Sequence, residues 1–134
     1  MVKEQKITEM HTRLQNWRSY LQFIGDEMAF IEKLLNSYVF EPRTPNLFER
    51  LELFKRGFKA SKKEKEMLLT TIKEHEKHLG GLVECTTEEC DESFHEKHRN
   101  LEATMHRYLE DYLKLKGEVY NYAGSVLKRK KPLH

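Results

Sequence analysis

Histidine and cysteine are the side chains in this chain best suited to chemistry. There are seven histidines and two cysteines in 134 residues. Four histidines form two short pairs, His75-x-x-His78 and His95-x-x-His98. Imidazoles three residues apart share one face of a helix, and two such faces can converge on a metal ion. Zinc would suit a site of this kind, and iron or manganese a variant richer in carboxylates. Glu74, Glu76, Glu92 and Glu96 lie beside these pairs, and His11 comes from further up the chain. The candidate ligands are therefore His11, His75, His95 and His98, with zinc or iron as the candidate cofactor. Against this stands the absence of the helical metalloprotease pattern H-E-x-x-H. A di-iron centre wants two Glu-x-x-His motifs, and Glu92-x-x-His95 is the one clear instance. The alternative is structural: His75 and His98 as neutral, hydrogen-bonded residues at the edge of a core, His78 as a cation favoured by a helix C-terminus, and His106 as a flanking surface residue.

Cys85 and Cys90 are four residues apart in number of intervening positions, within the range of zinc knuckles. Their neighbours Glu84, Glu88, Glu89 and Asp91 disfavour a thiolate, which argues against a cysteine nucleophile. No secretory apolar region follows Met1, because Lys3, Glu4 and Lys6 intervene, and no apolar run approaches a membrane span. These features lead to the expectation of a cytoplasmic protein with reduced thiols.

The elements that would hold the histidines are three long helices. Apolar residues recur at Ile7, Met10, Leu14, Trp17, Leu21, Ile24, Met28, Ile31, Leu35 and Tyr38, alternating steps of three and four. The stripe ends ahead of Pro42, which cannot continue a helix. A second stripe runs Leu47, Leu51, Phe54, Phe58, Ser61, Lys65, Leu68, Ile72, His75, Leu79, entered through Thr44-Pro45 and left through Gly80-Gly81. A third runs Phe94, His98, Leu101, Met105, Tyr108, Tyr112, Leu115, Val119, Tyr122, Val126, opened by a Thr86/Glu89 capping box. Low proline and glycine counts, three and six, agree with long helices.

The expected fold is all-α: one domain over 1–134, an antiparallel up-down-up three-helix bundle with coiled-coil-like helices. Helix 1 covers about 4–39, helix 2 about 45–79 and helix 3 about 88–128, with a basic tail over 129–134. The alternative is four helices. Gly57 costs about 1 kcal/mol inside a helix, Ser61 and Lys65 interrupt the second stripe, and Ser61 to Glu64 spells a capping box. A break near 57–61 follows from that reading.

Two further features bear on function. The C-terminal halves of helices 1 and 3 carry a second apolar row: Tyr20, Phe23, Phe30 and Leu34 on one, Leu109, Leu113, Tyr120 and Leu127 on the other. A helix in a three-helix bundle needs a broad stripe, so core packing is one explanation. The other is a protein partner surface, with a second copy as the first candidate and a homo-oligomer as the result. The stretch Lys55–Lys65 and the tail residues Lys128 to Lys131 are basic. The formal net charge is +2, however, and the tail alone accounts for four positive charges. With no aromatic interleaving of the kind that stacks bases, contact with nucleic acid or an anionic membrane is the weaker reading. No catalytic or nucleotide-binding motif is present. The reading is a non-enzymatic helical interaction or scaffold protein, with a metal-binding bundle as the alternative.

Overall fold

The structure, a computed structural model, describes residues 2–37, 45–82, 84 and 87–130, with side chains described for 5–37, 48–82, 84 and 87–125. It is a three-helix bundle: α1 (Val2–Leu35), α2 (Pro45–Leu82) and α3 (Glu88–Lys130). The up-down-up course shows in the cross-helix pairs. Arg18 of α1 meets Glu76 of α2, whereas Gly25 meets Lys65, so these helices run antiparallel. His75 meets Phe94 while Phe54 meets Tyr122, so α2 and α3 are antiparallel too. Arg13 meets Glu102 and Glu27 meets Lys116, which makes α1 and α3 parallel neighbours.

The seam that the 3-4 alternation predicts is the core. Leu14, Leu21, Ile31, Phe58, Ile72 and Tyr122 are fully buried. Ile7, Trp17 and Leu115 pack against this core half-buried. Tyr38 lies outside the described residues, as do the side chains of Leu47 and Val126. Burying one such apolar side chain is worth roughly 1.5–3 kcal/mol, so the stripe is the main reason the three helices associate.

The four-helix alternative does not occur: α2 passes through 57–61 unbroken. Each interruption there has a partner. An added Cβ on Gly57 would lie 3.1 Å from Leu115 Cδ1, so the missing side chain lets α3 approach. The Tyr108 hydroxyl, buried against Ser61, donates to the Ser61 carbonyl at 3.2 Å and lies 3.1 Å from Ser61 Oγ. Lys65 is buried at 8% exposure. Its stem lies in the seam, its Nζ is 2.8 Å from where a Gly25 Cβ would sit, and it pairs with Glu66 Oε1 at 3.1 Å. Long cationic side chains commonly bury the stem and keep the head near water or a partner.

The helix ends differ from expectation. Gly80 and Gly81 do not stop α2, which continues to Leu82; neither glycine takes the positive φ of a terminating cap. Leu82 is 2% exposed, and its burial accounts for the extra turn. At the start of α3 the cap is Thr87, one residue later than expected, with its Oγ1 accepting from the Cys90 amide at 3.2 Å. Thr86 lies outside the described residues. Among the described residues, no helix is long and apolar enough to cross a membrane.

Two glycine substitutions separate these roles. Gly57→Leu overpacks the α2–α3 contact and should cost about 1–3 kcal/mol in urea unfolding. Gly80→Ala, where nothing among the described residues lies within 4 Å, should instead gain up to about 1 kcal/mol from helix propensity. A Gly57→Leu chain as stable as the parent would show that Leu115 does not rest on this position.

Candidate functional site

The histidine end is built by the seam itself. His75 and His98 occupy stripe positions on α2 and α3, so the packing that buries leucines buries them, each at 5% exposure. Their rings lie against each other 30° from parallel, with His75 Nε2 and His98 Nδ1 3.0 Å apart. A hydrogen bond at this distance requires one nitrogen to carry a proton and the other a lone pair, so the two facing nitrogens are in complementary protonation states. Aromatic neighbours extend the pair into a four-ring layer across all three helices. Trp17 of α1 stacks on His98 with centroids 5.4 Å apart, His98 on His75 at 5.2 Å, and His75 on Phe94 at 4.4 Å.

The layer is walled by ion pairs. Arg13 donates to Glu102 at 3.2 Å and Arg18 to Glu76 at 2.7 Å, each tying α1 to a neighbour. Among the described residues, three buried polar atoms at this end make no hydrogen bond: Glu76 Oε1, Asp91 Oδ1 and His98 Nε2.

Both imidazoles are held neutral. Burial pushes the His75 pKa down to about 4, with His98, His78 and Lys97 adding repulsion of a positive charge. Burial also lowers the His98 value, reinforced by Arg13 and His95 and opposed by Glu102. The chemistry open to this pair is proton acceptance at a cost. Beside it runs a groove of about 410 Å³ lined by Glu74, His75, His78, Lys97, Asn100 and Thr104, among others, and open to solvent.

Of the four candidate metal ligands, the fold brings together His75 and His98. His95 turns off the seam, half-buried, pairing with Asp91 at 3.8 Å across one helical turn and touching Phe94 edge on. His11 is exposed on α1. Among the described residues, no three His, Cys, Asp or Glu side chains come together as a metal centre. Nor do the thiols match the expectation of two reduced cysteines. Cys90 is disulfide-bonded, and the chain's other cysteine, Cys85, lies outside the described residues. A cysteine in that state supplies neither thiolate nucleophile nor metal ligand.

At the other end the second apolar rows divide. Tyr20, Phe23 and Phe30 on α1 are 58%, 61% and 60% exposed, and Leu113 and Tyr120 on α3 are 61% and 43% exposed. Leu34 and Leu109 belong instead to the flank of the core, half-buried against it. The Leu127 side chain lies outside the described residues. A polar contact shows that the exposed residues share one side of the bundle. Glu27 lies on the same α1 face as Phe23 and Phe30. It accepts from the Tyr112 hydroxyl at 2.6 Å and pairs with Lys116 at 2.8 Å. Lys116 in turn lies on the α3 face of Leu113 and Tyr120, 6.0 Å from the Tyr120 ring centre. The α1 and α3 rows therefore flank one α1/α3 groove, with an ion pair at its floor. Burial would raise the Glu27 pKa, but the bonds from Lys116 and Tyr112 outweigh it and hold the carboxyl below its ordinary value. Burial and the Glu27 bond push the Tyr112 hydroxyl well above the usual tyrosine range.

No known protein family, curated protein or solved structure matches the chain.

The depressed imidazole values set a pH dependence. The unfolded chain takes up protons near pH 6.5 while the folded pair resists them. The stability due to the pair is thus complete above that pH and declines as pH falls toward about 4, the folded His75 value. Between pH 7.5 and 5.5 the loss from His75 alone should be about 1 kcal/mol. Thermal melts should fall by a few degrees over that interval. In a His75→Leu/His98→Leu chain most of that fall should vanish, because apolar side chains of similar size replace both partners. Melting curves that coincide at the two pH values in the parent would refute the burial of the pair.

Proposed function

We propose that this chain is a non-enzymatic helical interaction protein, acting through the α1/α3 face and associating first with another copy of itself. The observation that carries the reading is the row of exposed large apolar side chains on one side of the bundle. Tyr20, Phe23, Phe30, Leu113 and Tyr120 all face water there. Isolated surface hydrophobes are ordinary, but a contiguous apolar patch on one face is characteristic of contact surfaces. Aromatic residues dominate the energetics of such surfaces because they bury large areas at small entropic cost. The Glu27–Lys116 pair beneath the row favours a partner that fits one register, since leaving a covered charge unpaired is costly.

The metal-binding alternative has less behind it. Zinc or iron held by His11, His75, His95 and His98 would need side chains that lie on different faces to converge, and two of the four already satisfy each other. Contact with nucleic acid or an anionic membrane through Lys55–Lys65 has no support beyond the charges themselves.

Sedimentation equilibrium over a concentration series tests the proposal. The parent chain should self-associate, and a Phe30→Glu/Leu113→Glu chain should be monomeric with unchanged helical circular dichroism, since both positions are about 60% exposed in the folded chain. A parent that stays monomeric up to millimolar concentration would overturn self-association.

A further inference from the structure

Mid-helix glycine weakens a helix, so each one needs a reason. Gly25 and Gly57 have theirs inside the chain, where they admit Lys65 and Leu115. Among the described residues Gly117 and Gly124 of α3 have none: an added Cβ would meet nothing within 4 Å at either, and neither takes a positive φ. They alternate with exposed side chains. Leu113, Gly117, Tyr120 and Gly124 follow steps of four, three and four, which keep them on one face of α3, the face that flanks the α1/α3 groove. The order large, glycine, large, glycine is its own complement when the helix is reversed. Leu113 and Gly124 lie equally far from the Glu118–Val119 peptide, and so do Gly117 and Tyr120.

We infer that two copies of this chain pack α3 against α3 antiparallel, about a two-fold axis at the Glu118–Val119 peptide, with Tyr120 of each chain seated on Gly117 of the other and Leu113 on Gly124. A two-fold contact must be self-complementary, and a glycine facing a large side chain lets two helix axes draw close. α1 points to the same axis without reference to the glycines. Glu27 is bonded to Tyr112 and Lys116, so Glu32 stands level with residues 117–121 of α3. Phe30, 60% exposed, and the half-buried Leu34 lie two residues either side of Glu32, on the same face. The two-fold that pairs Tyr120 with glycine therefore also brings Phe30 opposite the partner's Leu34. Tyr20 and Phe23 fall beyond this overlap, because α1 ends at Leu35. The inference rests on the self-association proposed above and adds its geometry.

Spin labels at Glu110→Cys and, separately, Arg99→Cys read that geometry in the full chain. Cys90, being disulfide-bonded, does not take a thiol label. Antiparallel pairing about the stated axis puts like labels about 25 Å apart at 110 and about 60 Å apart at 99, from the 1.5 Å rise per residue. Equal, short distances at the two sites mean a parallel dimer; that result overturns the inference and leaves self-association standing. The second measurement fills a socket. Gly117→Leu should weaken dimerisation by roughly tenfold or more, while the dilute monomer melts no lower than the parent, its added side chain having open space around it. Dimerisation unchanged by Gly117→Leu also overturns the inference. A parent chain that is monomeric at every concentration overturns the geometry and the self-association together.

Discussion

Each of the three helices has one stripe of side chains that water disfavours, and the bundle is the arrangement that hides all three at once. The rest of the molecule follows from that constraint. Because α2 runs against both neighbours, α1 and α3 are left parallel and side by side, joined by Arg13–Glu102 and Glu27–Lys116. Because the seam is continuous, whatever residue falls on a stripe position goes inside, whether or not it is apolar. Ser61, Lys65, His75 and His98 are carried in by their spacing, and the local structure has to accommodate each one.

The accommodations differ in kind. Ser61 is held by the Tyr108 hydroxyl. Lys65 reaches across α1 through the space left by Gly25. His75 and His98 satisfy each other, and the aromatic faces of Trp17 and Phe94 close over them. This last solution is incomplete, since among the described residues His98 Nε2 has no partner. A buried polar atom without a hydrogen bond costs on the order of 1–3 kcal/mol. The histidine layer is therefore a place where the bundle is less stable than an apolar layer would make it, while the opposite end leaves apolar surface uncovered.

The fold was legible in the sequence because the 3-4 alternation is strong and unbroken, and no β-type period competes with it. The breaks in the second stripe were harder. Gly57 weakens α2 when judged by local propensity, and only Leu115, distant in sequence, explains it. Gly80-Gly81 resembles a stop signal, yet Leu82 finds a buried position and the helix goes on. At the candidate sites, stripe membership placed His75 and His98 correctly. It could not place His11 and His95, because one residue off the stripe turns a side chain by about 100°. The same ambiguity divided the apolar rows: Leu34 and Leu109 border the core, and Phe23 and Leu113 border water. The roles of the four mid-helix glycines depend on which atoms approach each Cα, and nothing in a single sequence reports that.

The chain has one tryptophan, and its ring lies face to face with His98. Any positive charge arriving on that imidazole arrives against the π-face of the only indole present. The molecule thus contains an optical reporter for the electrostatic state of its own interior, seated at the junction of all three helices and needing no label.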